Sequence, residues 1–254
     1  MWGKLRHSPG LQRLLAVTAA LLVWQLAAAA LGQSLLLPAP VAVAKRLWSL
    51  LPARGFLGTV GFSLGRISLG FLLGFSAAAV LAVFSARWKW IEILLQPYIA
   101  AIKAVPVASF IILCLIAAGA GNLSVVISFL MVLPIVYTNL LSGLQSTDVK
   151  LLEMAKVFRL GYFRRLKYIY LPALRPSLLA AFQAGIGLAW KAGVAAEVIG
   201  IPAGSIGEML YEAKVYLASA DLFAWTVVIV GVSVACEKLA VGLLKLGYRG
   251  LVRR

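Results

Sequence analysis

Long apolar runs separated by short polar breaks dominate the chain, and its charge is gathered into a few places. About 20 consecutive apolar residues suffice to cross a bilayer as a helix. By that measure the pattern predicts six spans, over residues 14–31, 56–86, 93–119, 123–144, 177–200 and 222–246. Pro97 and Pro106 fall inside the third, so a kink or an interfacial start is expected there. The uncharged Gly119-Ala120-Gly121-Asn122 predicts a tight turn into the fourth, which carries Pro134. Two spans repeat small residues every fourth position: Gly70, Gly74, Ala78 and Ala82, then Ala181, Gly185, Ala189 and Gly193. In lipid, where apolar side chains gain nothing by leaving the solvent, such ridges let helix backbones approach, so both are expected to be packing faces.

The breaks have their own pattern. Residues 32–55 hold Pro38, Pro40 and Pro52 and predict a short helix over 41–51; residues 201–221 hold Pro202 and Gly204 before an amphipathic stretch, SIGEMLYEAKVYLAS. The first apolar run ends in Ala27 to Ala30, as a signal peptide with a small-residue cleavage site would. It is longer than the usual hydrophobic region of such a peptide, so a retained first span is expected.

Composition supports a membrane protein. Of 254 residues 63% are hydrophobic and 13% charged, with mean hydropathy +0.99; soluble domains have roughly 45–50% and about 25%. The net charge of +16 does not call for nucleic acid, because cytoplasmic loops of membrane proteins collect Lys and Arg. Sixteen of the 24 Lys and Arg lie in the N-terminal tail, the turn at 87–92, residues 145–176 and the C-terminal tail; four lie in the opposite loops. That asymmetry predicts six spans with both termini cytoplasmic. Cys114 and Cys236 sit in apolar runs and His7 is the only histidine, which leaves no disulfide framework and no candidate metal site.

Residues 153–172, EMAKVFRLGYFRRLKYIYLP, are too polar for hydrocarbon and must form a loop. Asp148 is placed to cap a first short helix, with Leu151, Leu152, Ala155 and Phe158 on one face. Leu160-Gly161 offers a stop, since glycine takes the left-handed conformation cheaply. A second, aromatic and basic helix is expected over 162–170, ended by Leu171-Pro172 because the residue before proline avoids helical geometry. The residues alone fit either a docking surface for a soluble protein or a basic segment lying on anionic headgroups.

Glu153-Met154-Ala155 followed by Ile169-Tyr170-Leu171-Pro172 resembles the EAA loop of binding-protein-dependent ABC importer permeases. Leu37-Pro38-Ala39-Pro40 is similar to the proline-rich element after their first span. The stretches 103–110 and 190–200 resemble the branch grouped with nitrate, aliphatic sulfonate and taurine importers. The resemblance implies an all-α, polytopic type I importer permease fold, with 1–254 as one domain and a cytoplasmic coupling loop at 145–176. It implies that Glu153, Ala155, Arg159, Gly161, Tyr162, Arg164, Leu171 and Pro172 take part in coupling to a cytoplasmic ATPase dimer. The family pattern has glycine where this chain has Arg159, so the bend is expected either two residues later, at Gly161, or in a different geometry. It further implies an extracytoplasmic solute-binding protein received by loops 32–55 and 201–221, and a second permease copy, most simply in a homodimer, all set among membrane lipids.

No GxxxxGK[ST] sequence occurs, so the chain is not expected to be an enzyme or to hold a cofactor; ATP and Mg would sit on the partner ATPase. Charges inside spans are costly and usually face a cavity or a partner. Arg66, Lys103, Lys191 and Glu197 are the candidates for a translocation pathway, while Glu237 and Lys238 are read as structural. Their net positive sign favours an anion, in line with a sulfonate, taurine or nitrate-like solute. An ion-coupled secondary transporter is the alternative. Such proteins tend to show internal repeats, and the sequence has no convincing one. A membrane enzyme would need clustered intramembrane acids or histidines, which are absent.

Overall fold

The computed structural model describes residues 9–253, and the side chains of residues 10–246 apart from 13, 162 and 163. Every regular element among them is helical: α1 (Pro9–Leu31), α2 (Pro40–Leu50), α3 (Phe56–Arg87), α4 (Lys89–Ala104), α5 (Val107–Gln145), α6 (Val149–Val157), α7 (Tyr162–Arg165), a π-helical turn (Leu166–Tyr170), α8 (Leu171–Gly200), α9 (Ile206–Val215) and α10 (Ser219–Arg253). Five described helices are long and apolar enough to cross a membrane: Gly10–Leu31, Phe56–Arg87, Val107–Gln145, Leu166–Gly200 and Ser219–Leu246.

The expected third span, 93–119, is not one helix. Val105 turns extended before Pro106, the conformation proline favours in its predecessor, and ends α4. Helix α5 then starts at Val107 and runs into the expected fourth span. Gly119, with φ 72° and ψ 165°, breaks α5 into two arms. Only glycine reaches that conformation without strain. The break lets Ile111 of the first arm pack with Leu123 and Ile127 of the second, around Ala192 and Ala196 of α8. The first arm, about 18 Å long at 1.5 Å per residue, is shorter than the ~30 Å hydrocarbon core.

The chain divides into two compact units, one of residues 59–208 and 230–254, the other of residues 1–58 and 209–229. In the first, the expected small-residue ridges are the contact faces. Gly70, Gly74, Ala78 and Ala82 are buried. A Cβ on Gly70 would strike the Val125 carbonyl oxygen of α5, and one on Gly74 would come within 2.9 Å of the Phe129 carbonyl oxygen. On α8, Gly193 lies so close to Ile67 and Ser128 that a Cβ would sit 2.7 Å from each. Phe71 and Phe75 of α3 pack edge-on against Phe182 of α8, with centroids 5.1 and 5.3 Å away. Polar side chains tie the same helices: Tyr137 donates to the Ser85 hydroxyl at 3.0 Å, and Ser128 to the Ala189 carbonyl at 3.2 Å.

The second unit joins α1, α2 and the start of α10. The Trp24 indole donates to the Pro38 carbonyl at 3.1 Å and its ring lies 5.6 Å from Phe223. Phe56 stacks on Trp225. Arg46 of α2 forms a two-pronged ion pair with Asp221, and this hydrogen-bonded carboxylate favours the charged guanidinium, raising its pKa.

Candidate functional site

Two groups of residues carry the chemistry singled out in the sequence: the polar loop after α5 and the charges within the apolar helices. The loop begins where expected. Asp148 caps α6, its carboxylate accepting the Lys150 N–H at 2.8 Å. Ala155 is fully buried and anchors the helix. Met154, Val157 and Phe158 point outward instead; Val157 is 79% and Phe158 71% exposed. Phe158 therefore does not share an inward face with Ala155. Glu153, Arg159 and Arg164 are exposed as well.

The bend falls at Arg159, not at Gly161. Arg159 has φ 49°, whereas Gly161 is not among the residues with positive φ. The Leu160 N–H reaches the Ala155 carbonyl at 2.9 Å and the Arg159 N–H reaches the Lys156 carbonyl at 3.0 Å. These are the paired bonds of a Schellman helix end, which places its left-handed residue where Arg159 stands. The hydrogen-bond register of α6 set the bend, and glycine's conformational freedom two residues later was not used. Gly161 starts the next helix, its carbonyl accepting the Arg165 N–H at 3.1 Å, while Arg165 Nε donates to the Leu160 carbonyl at 2.8 Å. The second helix, with Tyr162 at its start, does not end at Leu171-Pro172. A π turn with the Leu171 N–H on the Leu166 carbonyl carries the chain straight into α8. Pro172, which has no N–H for the helix ladder, follows directly on that π turn.

Among the intramembrane charges, Arg66, Lys103 and Glu197 each have a hydrogen-bond partner of their own. Lys191 of α8 is exposed. Lys103 donates to Thr138 Oγ1 at 3.4 Å, and Arg66 reaches Asn122 Oδ1 at 3.4 Å while its guanidinium lies 4.7 Å from the Phe62 ring centre. Glu197 is completely buried. It continues the α8 ridge, and that ridge packs against α3 and α5 of the same chain, not against a second copy.

Around Glu197 the structure builds a polar site that spacing did not bring together. Ser63 of α3 donates its hydroxyl to Glu197 Oε2 at 2.7 Å and accepts the Ile206 N–H at 2.9 Å. The Gly207 N–H points to the same carboxylate oxygen at 3.4 Å. Both amides belong to the first turn of α9, where N–H groups lack intrahelical acceptors and the helix dipole favours negative charge. Ser205 caps that turn by accepting the Glu208 N–H at 3.0 Å, and Glu208 Oε2 accepts the Gly204 N–H at 2.5 Å. The S-x-x-E spacing at 205–208 is a helix-start signature visible in the sequence. Ser63 was also visible, in register with Ile67, Gly70 and Gly74. The Ser124 hydroxyl is buried beside the carboxylate, and neither it nor Glu197 Oε1 has a partner elsewhere. This arrangement joins the end of α8, the start of α9 and the first third of α3. No group of metal-ligating side chains occurs among the described residues.

A family model described as a binding-protein-dependent transport system inner membrane component matches residues 70–245. The putative aliphatic sulfonates transport permease protein of Bacillus subtilis is 26% identical over 232 residues, covering 88% of this chain and 83% of the relative. The taurine transport system permease protein of Escherichia coli is 27% identical over 237 residues, covering 91% and 83%. The riboflavin transport system permease protein of Chloroflexus aurantiacus is 29% identical over 194 residues, covering 74% and 69%.

Proposed function

Because the chain belongs to the family of binding-protein-dependent transport system inner membrane components, we propose that it forms the translocation pathway of an ATP-driven importer for a small anionic solute. In this family the inner-membrane component transports and does not catalyse, and it works with an ATPase and a substrate-binding protein. The ATPase docks on the loop after α5. The observation that carries this reading is the pair Val157 and Phe158, the most exposed of the large apolar side chains on this loop, at the end of a capped, bent helix. Such side chains are what a protein partner buries at the centre of an interface. Both chain termini and this loop are cytoplasmic, six segments cross the membrane with α4 and the short first arm of α5 together counted as one crossing, and two copies pair about a two-fold axis. Loops 32–55 and 201–221 receive the binding protein on the other side. ATP and Mg stay on the ATPase.

The sign of the span charges and the relatives named for aliphatic sulfonates and taurine favour an anion; the relative named for riboflavin makes cargo the point to be decided by ligand screening on the cognate binding protein. With Glu197 withdrawn into the packing core, Lys191, exposed and basic, is the span charge best placed to meet solute. Lys191→Ala should lower uptake while the ATPase still co-purifies; normal uptake would remove Lys191 from the pathway.

Docking is tested by Val157→Asp with Phe158→Asp. The double variant should reach the membrane in normal amount, lose the co-purifying ATPase and lose uptake. Retained ATPase binding would overturn the docking assignment. If uptake persists with an ATPase unable to hydrolyse ATP but stops with a protonophore, the ion-coupled secondary transporter is the correct reading.

A further inference from the structure

Helices α3, α8 and α10 leave a cavity of about 380 Å³ between them, lined by Ile67, Phe71, Phe182, Ile186, Leu239 and Leu243 among others. It is not a solute site of the kind proposed above, because it offers almost no polar atom. Its lining belongs to helices apolar enough to cross the membrane. At one end, sharing Leu244, a smaller recess is lined by Arg175, Leu178, Leu179 and Lys245. Among the described residues no acidic side chain lines that mouth. From Arg175 to Trp190 along α8 the groove runs about 22 Å, at 1.5 Å per residue, well over half of the ~30 Å hydrocarbon core. One end is basic and the remainder is apolar.

We propose that this groove is a binding site for an anionic phospholipid, with its phosphate at Arg175 and Lys245 and one acyl chain lying between α3, α8 and α10. Charge complementarity selects the headgroup: basic pockets between spans hold anionic headgroups, and each basic residue near the surface adds to the attraction. The apolar lining selects a hydrocarbon tail over a soluble anion such as inorganic phosphate, which would use only the mouth. Lipid chains at this position fill space beside Phe71 and Phe182, the aromatic contact that holds α3 to α8, so occupancy supports the packing of the core helices.

The test uses the full chain in its assembled complex, reconstituted with phosphatidylglycerol or phosphatidylcholine carrying a photoreactive acyl tail. The phosphatidylglycerol probe should label the 236–244 segment about thirtyfold more than the phosphatidylcholine probe, the difference expected from two basic residues. Arg175→Gln with Lys245→Gln should remove that preference while labelling by both probes persists. Ala240→Phe, which fills the groove, should abolish labelling of the segment. Inorganic phosphate in excess should not compete. Equal labelling by the two lipids in the unaltered chain would overturn the proposal. So would label spread evenly over α1 and α10, the mark of bulk lipid, or a Cys236-to-Cys236 cross-link, which would put a second copy in the groove. Should Ala240→Phe fail to assemble, the double charge variant still decides the headgroup claim.

Discussion

Gly207 lies directly against Glu197: a Cβ on Gly207 would overlap the backbone carbonyl carbon and Cβ of Glu197. Two amides of the α9 first turn therefore reach Ser63 and Glu197, and a buried carboxylate becomes the joint between α8 and α9. The joint demands a hydrogen at residue 207. Gly207→Ala, one methyl group, should destabilise the protein by about 1–3 kcal/mol, the usual cost of overpacking. Thermal unfolding of the purified protein in detergent measures this, and an unchanged midpoint would mean that the two helices separate freely.

Glu197 itself can be dissected by two substitutions. Glu197→Ala removes the acceptor for the Ser63 hydroxyl and the Gly207 N–H, and each buried group left unpaired costs about 1–3 kcal/mol. Glu197→Gln keeps an acceptor oxygen of nearly the same shape and should retain most of the stability. If both variants unfold alike in the same thermal assay, charge and not hydrogen bonding holds the joint.

Arg159 occupies a left-handed position without being glycine. For residues with a Cβ that conformation costs about 1–2 kcal/mol, of which greater freedom in the unfolded chain returns roughly 0.4–1 kcal/mol on substitution by glycine. Arg159→Gly should increase hydrogen-exchange protection of the amides at 155–160. Gly161→Ala should leave it unchanged, since a Cβ there meets open space and φ is ordinary. The reverse pattern would return the bend to Gly161.

The glycines of the spans should separate into two groups. Gly70→Ala should lower the thermal midpoint, because the methyl would strike the Val125 carbonyl oxygen, a backbone atom that cannot move aside alone. Gly187→Ala should be neutral or slightly stabilising, because nothing lies within 4 Å and alanine favours helix by about 1 kcal/mol. Equal losses from both would point to a general need for flexibility in these helices instead of close packing.

Much of this architecture is set by local properties that a sequence displays directly. Apolar runs long enough to span a bilayer, small residues every fourth position, Asp148 before α6 and Gly119 between the two arms of α5 each act within a few residues of themselves. Their elements appear where those residues stand. What required the tertiary structure was the partner of each group. Pro106 split the third apolar run because a proline restricts its neighbour whatever the hydropathy around it. The bend at Arg159 followed from how α6 closes its last hydrogen bonds, which outweighed the ease of bending at Gly161. Glu197 was visible as a charge in a span, but only folding brought Ser63, Ser124 and Gly207, separated from it by up to 134 positions, around its carboxylate. A buried polar group must find hydrogen-bond partners wherever the chain supplies them, and those contacts are long-range, so spacing along the sequence does not encode them.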